Sequence, residues 1–166
     1  MTDDRHFHIR SARPGDAPLI LKFIRELASY EKLAHEVTAT ERNIEINLFG
    51  ARPTAECIIA EHDGTAVGFA LYFHNFSTFL GKPGLYLEDL YVQPEFRGRG
   101  YGRKLLAHLA KLALTRGCGR FEWAVLDWNA PAIGFYKKLG ANIMADWRIN
   151  RLSGGALEKL ASEASD

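Results

Sequence analysis

The sequence predicts a mixed α/β (α+β) fold: a mostly antiparallel central sheet of about six to seven strands, flanked by helices on both faces. Three observations carry that expectation. Strand-like and helix-like patterns follow the order β-α-α-β-β-β-α-β-α-β; its middle is a cluster of strands that short turns would join as antiparallel hairpins; and its later elements read as βαβ crossovers. At 166 residues, with 47% hydrophobic and 25% charged residues, the chain is most economically one domain spanning 1–166, with the composition of an ordinary globular protein.

The elements follow in order. Phe7 to Ser11 is strand-like, and Arg13-Pro14-Gly15-Asp16 ends it. Asp16 is placed to cap a helix with Pro18 in its first turn, and Leu19, Ile20, Phe23, Ile24 and Leu27 recur at helical spacing to about Tyr30. Thr38 with Glu41 is a capping-box pattern for a shorter helix to about Leu48. Two strands, 56–61 and 67–74, flank His62-Asp63-Gly64, whose Asp-Gly pair favours a hairpin turn. Gly81-Lys82-Pro83-Gly84 breaks the chain before a strand over 85–92. A helix over 102–115 puts Leu105, Leu106, Leu109 and Leu112 on one face and is closed by Gly117. A strand over 121–126, a helix over 130–139 ended by Gly140, a last strand over 147–152 and a short helix over 155–162 complete the chain.

Charge and cysteine usage narrow the function. A formal net charge of +1 argues against a nucleic-acid scaffold held mainly by electrostatics. Neither Cys57, in an apolar run, nor Cys118, beside Gly117 and Gly119, has pairing or metal-ligand spacing. The N-terminus is polar and acidic, and no apolar run approaches membrane-spanning length. A cytoplasmic protein without membrane or nucleic-acid partners is therefore expected. Of the histidines at 6, 8, 35, 62, 74 and 108, only His6 and His8 have ligand-like spacing, and such a pair is more often the exposed face of a strand, so no metal is expected. Trp123, Trp128 and Trp147 are too scattered to form a binding stripe.

The chemistry concentrates in Val92-Gln93-Pro94-Glu95-Phe96-Arg97-Gly98-Arg99-Gly100-Tyr101-Gly102, a glycine-rich turn between a strand and a helix. Glycines let backbone approach a ligand closely or take positive φ, and a helix N-terminus offers unpaired N–H groups and a positive dipole end to phosphate. Arg97 and Arg99 add charge there. A P-loop would need a Lys followed by a hydroxyl residue, but Gly102 is followed by Arg103 and Lys104. A dinucleotide fingerprint needs G-x-G-x-x-G directly after a strand; here the spacing is G-x-G-x-G, five residues beyond Val92, although Glu122 lies at a suitable distance. The third design is the pyrophosphate turn [QR]-x-x-G-x-[GA], which Arg97, Gly100 and Gly102 fill.

That turn, the strand Leu87-Glu88-Asp89-Leu90-Tyr91-Val92 before it, and the later segment from Trp128-Asn129-Ala130-Pro131 through Phe135-Tyr136 to Gly140-Ala141 resemble the GNAT superfamily of acyl-CoA-dependent N-acetyltransferases in the right order. Ser29-Tyr30-Glu31, Tyr86-Leu87-Glu88-Asp89 and Trp128-Asn129-Ala130-Pro131 resemble, more closely, its diamine (spermidine/spermine) and thialysine acetyltransferase branch. The resemblance implies acetyl-CoA as cosubstrate, with the backbone of Leu90, Tyr91 and Val92 pairing with the pantetheine arm as with an added strand. It gives the pyrophosphate to Arg97, Gly98, Arg99, Gly100, Tyr101 and Gly102, with Asn129 and Lys138 approaching the cosubstrate from elsewhere. Asn129 is equally a good N-cap for the helix that follows it.

The same resemblance implies acetyl transfer to a primary amine by direct attack in a ternary complex, with Glu88 as base, through water, and Tyr136 as acid toward the departing thiolate. A base is needed because an alkylammonium of pKa about 10 is almost wholly protonated at neutral pH. Asp89 would point to the opposite face of a regular strand, but a bulge would bring both acids into the site. Tyr30, Glu31, Glu88, Asp89 and Trp128 are the expected acceptor contacts, an acidic and aromatic lining suited to a cationic amine. After that Tyr-Glu pair the branch tends to carry more acids, whereas this chain has Lys32, Ala34 and His35 before Glu36. That departure favours a shorter or zwitterionic, lysine-like acceptor over a long polycation. Members of the branch are commonly homodimers. The alternatives are a protein lysine or N-terminal acetyltransferase, and a non-catalytic acetyl-CoA-binding module.

Overall fold

Strands form where β-branched, aromatic and apolar residues cluster between turn residues, and in the computed structural model, which describes residues 6–164, five of them make one sheet. The chain forms two compact units, one up to Leu126 and one from Asp127 onward.

In the first unit the strands β1 (Phe7–Ser11), β2 (Glu56–His62), β3 (Thr65–Ser77) and β4 (Lys82–Val92) pair antiparallel in sequence order, and β5 (Arg120–Trp123) adds parallel to β4. Register fixes the two faces. Ile59, Phe69 and Tyr91 stand side by side on one face, where helices α1 (Ala17–Tyr30) and α2 (Glu41–Phe49) cover them with Ile20, Phe23 and Ile44. Phe23 and Phe69 are fully buried with ring centroids 5.7 Å apart; each such side chain contributes about 2–3 kcal/mol through burial. Phe7 and His62 pair on the opposite face and meet Tyr101, the first residue of α3 (Tyr101–Thr115), by ring stacking at 4.2 Å and a 2.6 Å hydrogen bond. Helices thus lie on both faces, as expected.

The second unit contains α4 (Ala130–Lys138) and α5 (Gly154–Ala161). It has no strand among its described residues, so the strand expected over 147–152 is a correction, as is the total of five strands rather than six to seven. Trp147 and Ile149 suggested a strand face, but they are about three-quarters exposed. A strand also needs a neighbour to take its backbone hydrogen bonds, and this segment has none.

Smaller corrections have local causes. Asp16 precedes α1 but does not cap it with its side chain; the carboxylate instead accepts from the Arg13 N–H at 2.8 Å and from Arg10 at 2.7 and 3.0 Å. The capping box of α2 is Thr40 with Asn43 rather than Thr38 with Glu41. Strand β4 begins at Lys82, because the turn before it needs only residues 78–81, and Gly84 lies within the strand, where an added Cβ would come 2.1 Å from Asn75 Oδ1. Strand β5 stops at Trp123, short of the expected 126.

Candidate active site

The register of β4 is broken at the acids. Leu87 lies opposite Tyr72 and Asp89 opposite Leu71, so Glu88 is the extra residue of a β-bulge. This is the irregularity that brings adjacent acids within reach of one another. Strand β5 pairs with β4 only from Gly84 to Leu87, leaving the edge from Glu88 to Val92 without a strand partner among the described residues. An unfilled edge beside a bulge is a template for an extended, amide-containing ligand.

The charges of Glu88 and Glu31 are both felt at Asp89. Glu88 is exposed; Asp89 is half-buried opposite Leu71, on the face covered by α1; Glu31 caps the C-terminus of α1. Burial pushes the Asp89 carboxyl up to about 7, and the charges of Glu88 and Glu31 add to the effect. Burial likewise raises Glu31 above the ordinary carboxylate range. A cation bound beside Asp89 would offset the charges of Glu88 and Glu31, and a carboxyl titrating near neutrality is matched to proton transfer at physiological pH. Beyond the end of α1, Lys32 takes φ 62°, and the Leu33 N–H donates to the Ala28 carbonyl at 2.8 Å. This closure, made with a lysine where glycine is usual, fixes the direction in which Tyr30 and Glu31 leave the helix.

The glycine turn is built from backbone. Pro94–Phe96 form one 3-10 turn, Gly98 and Gly100 take φ of 75° and 81°, and Gly100 begins α3 with no side chain capping it. Residues with a Cβ strongly disfavour that conformation, so the two glycines set the path that aims the first N–H groups of α3 outward. Gly102 is helical, and an added Cβ there would meet nothing within 4 Å. The Tyr101 side chain is buried against Phe7 and His62, which leaves its backbone N–H as the group on offer. Arg99 is exposed, with its guanidinium 5.3 Å from the centre of the Phe96 ring.

Arg97 faces the other way. Its Nε donates to the Val92 carbonyl at 2.8 Å, and its guanidinium lies 4.9 Å from the Tyr30 ring centre and 5.5 Å from that of Tyr91. The Tyr91 side chain is turned into the core under α1, 6.0 Å from Phe23, and Gln93 Nε2 donates to Glu26 of that helix at 3.3 Å. Glu26 was missed in the sequence; the signal is its position one helical turn before Tyr30, on the same stripe of α1.

In the second unit, Asn129 is buried and caps α4, its Oδ1 accepting from the Ala132 N–H at 3.4 Å. Tyr136 is half-buried, its ring 5.5 Å from Phe135. Trp128 and Lys138 are exposed.

A glycine-built turn with an uncapped helix behind it thus follows a bulged strand with an open edge. The acetyltransferase (GNAT) family profile matches residues 21–141. The chain is 41% identical over 166 aligned positions to a thialysine N-epsilon-acetyltransferase from Sus scrofa, covering 93% of this chain and 97% of that one. It is 32% identical to the L-ornithine N5-acetyltransferase NATA1 of Arabidopsis thaliana, covering 92% and 86%. Among solved structures, the integron cassette protein VCH_CASS6 from V.cholerae superposes with a TM-score of 0.79 at 28% identity, covering 95% of this chain and 99% of that one. The chain belongs to the GNAT acetyltransferase family. It is an acetyl-CoA-dependent N-acetyltransferase.

Among the described residues no group of three or more His, Cys, Asp or Glu side chains is arranged to hold a metal, and no helix is long and apolar enough to cross a membrane.

Proposed function

We propose that the chain transfers acetyl from acetyl-CoA to a primary amine of a small cationic or zwitterionic molecule, a lysine-like amino acid or short diamine, by direct attack in a ternary complex. The observation that carries this reading is the grouping of Glu31 and Glu88 about Asp89 at the bulge, where burial, reinforced by the two neighbouring charges, pushes the Asp89 carboxyl up to about 7. The names of the relatives, thialysine and L-ornithine acetyltransferases, support an amino acid carrying a side-chain amine.

In this reading Glu88 and Glu31 hold the ammonium, and the Glu88/Asp89 pair accepts its proton, directly or through water. The neutral amine then attacks the thioester carbonyl. Tyr136 is the acid that protonates the departing thiolate, and Tyr30 and Trp128 line the acceptor's path. The open edge at Leu90, Tyr91 and Val92 takes the pantetheine, and the backbone from Gly98 to Gly102 takes the pyrophosphate with Arg97 and Arg99 as countercharges; Asn129 and Lys138 complete the cosubstrate contacts. The chain works as one domain, as a homodimer in the cytoplasm, a reducing setting that suits the two free cysteines.

Initial-rate kinetics test the mechanism. Varying acetyl-CoA against amine gives intersecting reciprocal plots if attack is direct, whereas parallel lines would establish a covalent acetyl-enzyme and remove this mechanism. Tyr136→Phe lowers turnover by about 100-fold, within the usual range for loss of a general acid, and leaves acetyl-CoA affinity near wild type. Unchanged turnover would take Tyr136 out of the acid role.

A further inference from the structure

We propose that the Arg97 side chain is a positioning residue for the acceptor, acting through Tyr30, while the pyrophosphate turn uses chiefly the backbone around it. This rests on the small-amine reading above and deepens it.

The geometry separates the two roles. Arg97 belongs to the turn by sequence, but its Nε–H is spent on the Val92 carbonyl at 2.8 Å and its guanidinium carbon lies over two tyrosine rings, 4.9 Å from the centre of Tyr30 and 5.5 Å from that of Tyr91. Val92 ends β4, and Tyr30 ends α1 one residue before Glu31. The side chain therefore joins the strand edge expected to carry the pantetheine to the helix end expected to carry the acceptor. Glu26, one turn earlier on α1, makes a second tie by accepting from Gln93 Nε2 at 3.3 Å. Arg97 is the outer of the two ties, and Tyr30 is 41% exposed, so the contact is on the side open to a ligand.

Lysine cannot replace this arrangement. It preserves the positive charge, but it has no Nε–H directed at Val92 and no planar group to lie on two rings. Arg97→Lys should thus raise the amine KM by about three- to five-fold, the size of one exposed cation–π contact, with the acetyl-CoA Kd within about two-fold of wild type. Arg97→Gln should raise both. In a Tyr30→Leu background the contact is already gone, and Arg97→Lys should then leave the amine KM unchanged.

The experiment is that double-mutant cycle, with amine KM, acetyl-CoA Kd by calorimetry and turnover read for each of the four proteins, using a lysine analogue as acceptor. Coupling in amine KM alone supports the role. Additive effects on amine KM, or a loss by Arg97→Lys confined to acetyl-CoA Kd, overturn it while leaving the small-amine reading intact. A wild-type protein that binds acetyl-CoA but acetylates neither lysine analogues nor diamines overturns both.

Discussion

The glycine turn and the acidic corner lie at opposite ends of the bulged half of β4 and are made in different ways. The turn, from Gly98 into α3, consists of positive-φ glycines and an uncapped helix start, and its side chains look elsewhere: Tyr101 to His62, Arg97 to Tyr30. The corner at Glu31, Glu88 and Asp89 consists of side-chain charge held in place by a bulge and a helix end. In the function proposed above, backbone recognises what every acyl-CoA shares, whereas charge selects among acceptors. The two ends should accordingly fail separately when altered.

The largest separation is expected from the corner. Glu88→Gln with Asp89→Asn should lower kcat/KM for amine by at least about 100-fold, the scale of a lost general base and its charge, while calorimetry finds acetyl-CoA binding within about two-fold of wild type. A matching loss of acetyl-CoA affinity would break the division. Gly100→Ala is the mirror experiment. Forcing a Cβ into φ 81° costs about 1–2 kcal/mol, which should weaken acetyl-CoA binding by about 5- to 30-fold if the bound turn keeps this shape and relaxes when empty. The amine KM at saturating acetyl-CoA should barely move.

A third prediction concerns pH and stability. The folded-state pKa of Asp89, about 7, lies above the usual carboxylate value, so the folded chain holds this proton more tightly than the unfolded chain. The resulting stabilisation is complete below about pH 4 and is lost as pH rises through about 7. Asp89→Asn removes that dependence. At pH 8 the variant should be more stable than wild type by about 2–4 kcal/mol in urea titration, with the advantage gone near pH 4. The smallest effect is at the end of α1: Lys32→Gly relieves the strain of φ 62° and should add up to about 1 kcal/mol to stability in the same assay.

The glycine turn was legible in the sequence because few residues other than glycine take the conformations at Gly98 and Gly100, and that restriction is written directly in residue type. The acids were legible as charge, but not their geometry. Adjacent Glu88 and Asp89 would lie on opposite faces of a regular strand, and only the pairing with β3 shows the bulge. The contact of Arg97 with Tyr30 was not legible at all, since it joins residues 67 positions apart through tertiary packing. The strand expected over 147–152 fails for a related reason: a pattern can propose a strand face, but only a neighbouring edge makes the strand.

The central claim is that an acyl-CoA turn faces a corner built for a small amine. Its most direct measurement is thiol release from acetyl-CoA across a panel of lysine analogues, short diamines, long polyamines and lysine-containing peptides. We expect release to be accelerated most by the lysine analogues and short diamines, with an N-acetyl product of matching mass. Tight acetyl-CoA binding with no acceleration by any small amine, or acceleration by peptides alone, would contradict it.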